Sequence, residues 1–171
     1  LSLHCRREPR FYANIAAHNT YWYKKSAEGV NEPMLCECMQ GQMMGTSSKR
    51  YDSSIPQCLT GYYVKKFDNA DVALKDYYMN SSSEAGDIIF RLPDLLLASA
   101  EAWNEYLDAP DERVYNPLDQ IRTRAGIAKV RDAWKTYARN PQKVETQAGM
   151  REIIRQEWNI EFAFEGRRFY N

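Results

Sequence analysis

The hydrophobic pattern of the chain changes near residue 86. Before that point, glycine, proline, serine and asparagine recur and interrupt each apolar run, which is typical of turns and long loops. After it, apolar residues return every three or four positions, which is the period of amphipathic helices. The sequence therefore predicts a loop-rich, aromatic-rich region with short strands over residues 1–86 and a helical region over residues 87–171.

Three helices are predicted in the second region, over about residues 93–107, 113–125 and 146–165. Proline stands at the first position of the first helix, and glycines 126 and 166 stand where the second and third helices should end. Trp103 and Trp158 fall on the apolar stripes and are expected in the core. The predicted stripes are Leu92, Leu96, Ala100, Trp103 and Leu107, then Val114, Leu118, Ile121 and Ala125, then Met150, Ile154, Trp158 and Phe162.

The first region contains three short runs of aromatic and β-branched residues. They are FYANIAAH at 11–18, NTYWYKK at 19–25 and TGYYVKKF at 60–67, and each predicts a strand or an extended edge. The fold class is therefore mostly α with loop-rich extended segments. The first two helices together are close to the ~34-residue period of tetratricopeptide repeats, which need at least three units to bury a continuous face. We expect the helical scaffold to be incomplete in this chain.

The charge balance argues against two classes of partner. The 23 basic and 23 acidic residues cancel, so the chain lacks the net positive charge typical of proteins that bind nucleic acid or an anionic membrane surface. No apolar stretch approaches the roughly 20 residues that a bilayer-spanning helix requires. A neutral or mixed ligand is the better expectation.

Four cysteines lie in the first sixty residues: Cys5, Cys36, Cys38 and Cys58. An even number in a loop-rich segment is compatible with two disulfides, and free thiols are an equal alternative. His4 with three of the cysteines suggests a zinc site, but the one-residue gap between Cys36 and Cys38 is not the usual spacing of zinc ligands. The acidic segment at 68–76 lacks the pattern of a calcium-binding EF-hand, so neither a metal nor another cofactor is predicted.

Three carboxylates recur every four residues at the end of the third helix: Glu157, Glu161 and Glu165. This spacing puts them on one helical face about 6 Å apart, close to the separation in retaining glycosidases. A general acid, however, needs surroundings that raise its pKa, whereas nearby arginines hold carboxylates ionised. We therefore predict ion pairs and no catalytic residue; the arginines expected as partners are Arg151, Arg155, Arg167 and Arg168.

Three ordered motifs carry a family resemblance. FRLPDLLLASAEAWNE at 90–105, NPLDQIRTRAGI at 116–127 and GMREIIRQEWNIEFAFEGRRFYN at 149–171 resemble the C-terminal part of the SusD/RagB family of Bacteroidetes surface lipoproteins. The segments REPRFYANI and TGYYVKKF resemble extended parts of that family as well. The chain departs from the family pattern at Glu157-Trp158, where Glu-Arg is usual, and it ends at Asn171 before the pattern does.

The resemblance implies a tetratricopeptide-like scaffold of the SusD type, with both regions forming parts of one domain. It implies a non-catalytic outer-membrane, cell-surface lipoprotein that binds nutrient glycans and delivers them to a SusC-like TonB-dependent transporter. The lipid anchor is expected on an N-terminal cysteine outside this chain. Alternatives are uptake of oligopeptides, as in RagB-type proteins, and, less favoured, a glycoside hydrolase using Glu161 and Glu165 or a generic helical-repeat adaptor.

Ligand binding by such a protein needs flat aromatic faces together with amides and hydroxyls. The densest source is NTYWYKK, in which successive side chains of a strand point to opposite faces. Either Trp22 or the pair Tyr21 and Tyr23 should therefore face outward, and the other set should cover the scaffold, as large aromatics usually do. The candidate ligand-binding residues are Asn19, Tyr21, Trp22, Tyr23, Tyr51 and Tyr62.

Overall fold

The structure is a computed structural model and describes residues 4–25, 31–42, 44–45, 59–66 and 89–167. It consists of two compact units, Leu1–Asp87 and Ile88–Asn171. The fold is mostly helical with a few short strands, which confirms the predicted fold class.

The described part of the first unit contains one short helix and two small sheets. Helix α1 (Pro9–Asn14) leads directly into strand β1 (Ile15–Ala17), which pairs antiparallel with β4 (Tyr62–Val64). Strand β2 (Tyr21–Lys25) pairs antiparallel with β3 (Asn31–Leu35). The turn between β1 and β2 joins the second sheet, because the Asn19 N–H donates to the carbonyl of Cys36 at 2.9 Å and the Cys36 N–H donates to the carbonyl of Thr20 at 2.9 Å.

Two details of this unit differ from the prediction. The run FYANIAAH is half helix and half strand, because Pro9 presets the first turn of α1 and the Phe11 N–H donates to the carbonyl of Glu8 at 2.9 Å. The segment NEPML, expected in a turn-rich stretch, forms β3 with Pro33 inside it. A proline is tolerated there because a strand of a two-stranded sheet has an edge that needs no donor.

The second unit is a helical stack. Helices α2 (Leu92–Tyr106) and α3 (Glu112–Arg124) stand where about 93–107 and 113–125 were predicted. Helix α4 (Val130–Tyr137) and a 3₁₀ helix (Pro141–Glu145) follow, and α5 (Gln147–Glu161) ends the stack. The core of the unit brings together apolar side chains from these elements, including Leu97, Val114, Leu118, Ile121, Val130, Val144, Met150 and Ile154.

Two helix predictions were wrong. Helix α4 lies between the second and third predicted helices, where no helix was predicted, because in VRDAWKTY only Val130 is buried and eight residues carry little period. Helix α5 ends at Glu161 and not at about residue 165, since Phe162 leaves the helical region and Phe164 and Gly166 have φ values of 69° and 74°.

The predicted buried face of α2 was also wrong in part. Leu92 is 63% exposed and Trp103 is 36% exposed, whereas Leu97, Asp94 and Asn104 are buried. The two polar side chains accept burial because they have partners: Asp94 accepts the Arg91 N–H at 2.9 Å, and Asn104 donates to the carbonyl of Gln147 at 3.0 Å. The Arg91 contact is local to the start of α2, whereas the Gln147 carbonyl belongs to α5 and is brought to Asn104 by the tertiary fold, which the apolar period of α2 alone does not indicate.

The two tryptophans assigned to the core have different surroundings. Trp103 lies on the surface with the guanidinium of Arg113 4.6 Å from its ring centroid and the Tyr106 ring 5.9 Å away. Trp158 is half-buried and packs against the core beside Phe162, with ring centroids 5.0 Å apart. The prediction was wrong for Trp103 and correct in part for Trp158.

Candidate functional site

A cleft of about 1070 Å³ opens in the first unit. It is lined by aromatic side chains from α1 and β2 and by polar side chains from the turn between β1 and β2. The lining includes Tyr12, His18, Asn19, Tyr21, Tyr23 and Lys65.

Strand β2 presents its tyrosines to the cleft and its tryptophan to the core. Tyr21 and Tyr23 are 55% and 57% exposed, whereas Trp22 is half-buried against Ala16 and Cys36. Of the two orientations left open by the sequence, the structure therefore has the tyrosine pair outward. Residues two apart on a strand are about 7 Å apart, so the two rings lie side by side along the same face of β2.

Tyr12 is an aromatic residue of the cleft that the sequence reading missed. Its hydroxyl donates to the carbonyl of His4 at 2.6 Å and accepts the Arg7 N–H at 3.2 Å, and its ring edge meets the Phe11 ring at 5.3 Å between centroids. These contacts fix the ring, which remains 38% exposed. Pro9 is a signal for the start of a helix, and it would have placed Tyr12 in a helix and not in the extended run FYANIAAH.

Two polar side chains lie beside the tyrosines. Nδ1 of His18 accepts the Cys38 N–H at 3.2 Å, so a neutral His18 carries its proton on Nε2. Asn19 is exposed and has a φ of 63°, a conformation in which asparagine is enriched. The hydroxyl of Thr20 is used within the turn, since it accepts the Ala17 N–H at 3.0 Å and donates to the carbonyl of the same residue at 2.8 Å.

The remaining candidates lie apart from these residues. Tyr62 is 45% exposed and meets His4 edge-on, with ring centroids 5.4 Å apart, so it lies next to a residue that lines the cleft. Tyr63 is half-buried, and its hydroxyl donates to the carbonyl of Met44. Tyr51 lies outside the described residues.

Three cysteines of this unit, Cys5, Cys36 and Cys38, lie within the described residues. Cys36 is a buried thiol, and burial raises its pKa despite the opposing hydrogen bond with Thr20 and the charge of Lys65. Within the ranges that the structure describes, no group of three His, Cys, Asp or Glu side chains is arranged to hold a metal ion. Cys58 lies outside those ranges.

The carboxylates of α5 form buried ion pairs with arginines of other elements. Glu161 accepts from Arg91 and from Arg124, each at 2.5 Å. Burial alone would raise the pKa of Glu161, but the hydrogen bonds and charges of these arginines outweigh it and lower the pKa below the usual carboxyl value. A group held ionised in this way is unsuited to the general-acid role of a glycosidase.

The partners seen for these acids are arginines other than those predicted, and Arg168, one of the predicted four, lies outside the described residues. Glu165 also binds Arg91, at 2.8 Å, and Glu157 accepts from Arg122 at 2.9 Å. Of the arginines near α5 in sequence, Arg151 instead pairs with Glu105 and Arg167 pairs with Asp94. Ion pairs were predicted correctly for these acids, but the partners seen in the described residues come from α3 and from Arg91, the residue before α2.

A second cleft, of about 820 Å³, lies in the helical unit between α2 and α3. Its described lining combines aliphatic residues with amides and cations, including Leu92, Leu96, Ile121, Asn116, Gln120 and Arg124. These residues offer no aromatic face, so the cleft of the first unit is the better candidate for ligand recognition.

The cleft of the first unit brings together tyrosine rings, an imidazole and an amide, which are groups that ligand sites use. The chain matches the model described as the SusD family over residues 4–171, and it belongs to that family. Proteins of this family bind nutrients, are lipoproteins associated with the outer membrane and generally work with a SusC-like transporter; they are binding proteins rather than enzymes.

No curated protein and no solved structure is significantly similar to the chain. In the described part of the chain, every helix is too short or too polar to cross a membrane.

Proposed function

We propose that this protein captures oligosaccharide nutrients at the cell surface and passes them to a SusC-like TonB-dependent transporter without chemical change. The observation that supports the proposal is the exposed pair Tyr21 and Tyr23, which shares one cleft with Tyr12, His18 and Asn19. The binding site thus lies in the first unit, and the helical unit is scaffold.

The chemistry of this cleft suits a sugar chain. The C–H face of a pyranose packs on an aromatic ring, and its hydroxyls need donors and acceptors at the rim. The tyrosine rings offer the faces, and Nε2–H of His18 and the side-chain amide of Asn19 offer the polar groups. Tyr62 extends the aromatic surface next to His4.

An oligopeptide is the second candidate ligand. Within the described residues, β3 is the one strand that pairs with β2, so an extended peptide can add along the other edge of β2 past Tyr21, whose carbonyl already accepts from Lys65. The tyrosine side chains would then contact alternate residues of the peptide. Oligosaccharide remains the favoured class because the polar groups lie beside ring faces.

Calorimetric titration of the full-length protein distinguishes the two ligands. Cellohexaose, maltohexaose, chitohexaose and a mixed pool of oligopeptides are titrated into the wild type and into the Tyr21→Ala, Tyr23→Ala double variant. We expect at least one hexasaccharide to bind, and the double variant to lose roughly tenfold or more of that affinity.

The matched control is Tyr137→Ala, which removes a tyrosine that is 82% exposed in the other unit. This variant should bind like the wild type. Flat titrations with all hexasaccharides and binding of the peptide pool would replace oligosaccharide with oligopeptide. Equal affinity of the wild type and the double variant would move the site away from this cleft.

The transporter partner is tested separately. We expect the full-length protein, tagged and purified from outer-membrane extracts, to bring down a TonB-dependent transporter in a stable ratio. Recovery of the protein alone under mild detergent would count against a permanent complex.

A further inference from the structure

Lys65 joins the two sides of the cleft. It follows β4, and its N–H donates to the carbonyl of Asn14, the last residue of α1, at 2.7 Å. Its ammonium donates to the carbonyl of Tyr12 at 2.8 Å and to the carbonyl of Tyr21 at 3.4 Å. One side chain therefore touches the main chain of both aromatic residues that stand on different elements of the cleft.

The elements that Lys65 joins belong to different sheets. Tyr12 is in α1, which leads into β1 and so into the sheet of β1 and β4, whereas Tyr21 starts β2, which pairs with β3. No common strand ladder of the described residues sets the distance between these two tyrosines. The bridge through the Lys65 ammonium is a direct link between their backbones.

We propose that Lys65 is a positioning residue that sets the gap between Tyr12 and Tyr21 and thereby selects the oligosaccharides that the cleft accepts. The hydroxyl of Tyr12 is already hydrogen-bonded to the main chain of His4 and Arg7, so this residue offers a ligand the face of its ring, as a fixed aromatic wall of the cleft. Tyr21 forms the opposite wall. This inference rests on the proposed function, because it takes the cleft as the ligand site.

The chemistry of the ammonium suits this role. It is a compact cation with three donors, so it can hold two carbonyls at once, and charge-assisted hydrogen bonds are about twice as strong as neutral ones. Methionine at position 65 keeps a long apolar stem and removes the donors. Arginine at that position keeps a cation with several donors and should restore part of the link.

The first experiment needs no ligand. The full-length protein is labelled with 3-fluorotyrosine, and ¹⁹F NMR spectra are assigned with Tyr12→Phe and Tyr21→Phe. In Lys65→Met, we expect the resonances of Tyr12 and Tyr21 to shift or broaden, while those of Tyr106 and Tyr137 stay unchanged and the circular dichroism shows a folded protein. Unchanged resonances of both cleft tyrosines would overturn the positioning role.

The second experiment is a double-mutant cycle with the hexasaccharide of the panel that binds the wild type most tightly. We expect Lys65→Met to weaken binding about three- to tenfold through lost preorganisation. Lys65→Met should cost less in a protein that already carries Tyr12→Ala, because one of the two rings whose separation the lysine sets is then absent. Additive losses would mean that Lys65 contacts the sugar itself, and they would overturn the proposal.

The third experiment measures selectivity among hexasaccharides, which would not change if Lys65 served only the stability of the unit. The ratio of affinities among cellohexaose, maltohexaose and chitohexaose should narrow in Lys65→Met and recover in Lys65→Arg. If Lys65→Met lowers all three affinities by the same factor, so that their ratios are preserved, Lys65 does not control the gap between Tyr12 and Tyr21. If no hexasaccharide binds the wild type, the proposed function fails, and the NMR experiment alone still decides whether Lys65 positions the two tyrosines.

Discussion

Arg91, the residue before α2, donates from Nη1 to Oε1 of Glu161 at 2.5 Å and from Nη2 to the main-chain carbonyl of the same glutamate at 2.8 Å. Arg124 at the end of α3 donates to the same Oε1, also at 2.5 Å. The guanidinium of Arg91 lies 4.0 Å from the ring centroid of Phe162. A single buried carboxylate at the end of α5 therefore ties together the three helices that form most of the core.

The Glu161→Gln variant should destabilise the helical unit by about 2 to 3 kcal/mol, because it removes the charge that two arginines share in a buried site. The side chain of Glu161 is 3% exposed, so water cannot replace it. Urea denaturation followed by circular dichroism measures the change.

The matched control for this substitution is Glu112→Gln. Glu112 pairs with Arg131 in a site where the two side chains are 59% and 52% exposed, and exposed pairs contribute about 0 to 1 kcal/mol. Equal losses of unfolding free energy in the two variants would show that the buried contacts of Glu161 with Arg91 and Arg124 stabilise the fold no more than an exposed ion pair does.

The same carboxylate makes stability depend on pH. Because the folded pKa of Glu161 lies below the usual 4.5, its contribution is complete above that value and is lost as pH falls through the folded pKa. The difference in unfolding free energy between wild type and Glu161→Gln should be constant from about pH 5 to about pH 7, where the carboxyl is ionised in both the folded and the unfolded protein. The difference should shrink below about pH 4.5. A difference that stays constant down to about pH 3 would contradict the assignment.

The residues around Glu161 show which features of the helical unit can be predicted from the sequence and which cannot. The period of α3 correctly placed Val114, Leu118 and Ile121 in the core, because that face is purely apolar. The arginines near Glu157, Glu161 and Glu165 in sequence correctly indicated that these acids form ion pairs. Their partners could not be predicted, because Arg91 is 70 residues from Glu161 and only the tertiary fold brings the two together.

The cleft shows the same limit. The two-residue period of NTYWYKK allowed two orientations, and packing of Trp22 on Ala16 and Cys36 decided between them. Tyr12 was missed because a helix of six residues leaves almost no period to read. The link from Lys65 to Tyr21 spans 44 residues and has no local signal.

Trp22 should matter for stability rather than for direct ligand contact, because it faces the core of the first unit. Trp22→Ala should destabilise that unit by about 2 kcal/mol, less than a fully buried tryptophan would cost. Trp22→Phe should retain most of the packing and nearly all of the hexasaccharide affinity. A large loss of affinity in folded Trp22→Phe, measured by titration at a temperature well below its unfolding midpoint, would place the indole in the ligand site.

Cys36 should be inert in the native protein. It is fully buried, and burial raises its pKa, so the thiolate that reacts with electrophiles is scarce at neutral pH. Maleimide labelling followed by peptide mass spectrometry should modify Cys36 only when urea unfolds the first unit, and Cys36→Ser identifies the peptide. Rapid labelling without urea would show that the unit opens locally.

Gly149 is required by the contact between α5 and the 3₁₀ helix that precedes it. A β-carbon at this position would lie 2.0 Å from the carbonyl oxygen of Lys143 and 2.7 Å from Oγ1 of Thr146, which caps α5 by accepting the Gly149 N–H at 3.1 Å. Gly149→Ala must therefore push the helix start away from the backbone of Lys143 and weaken its cap. We expect a loss of about 2 to 4 kcal/mol in urea denaturation, although alanine is the better helix former by about 1 kcal/mol.

The control is Gly166→Ala. A β-carbon there meets nothing within 4 Å, and only the positive φ of 74° is strained, at a cost of about 1 to 2 kcal/mol. A Gly149→Ala protein as stable as the wild type would mean that the two helices separate without cost at this contact.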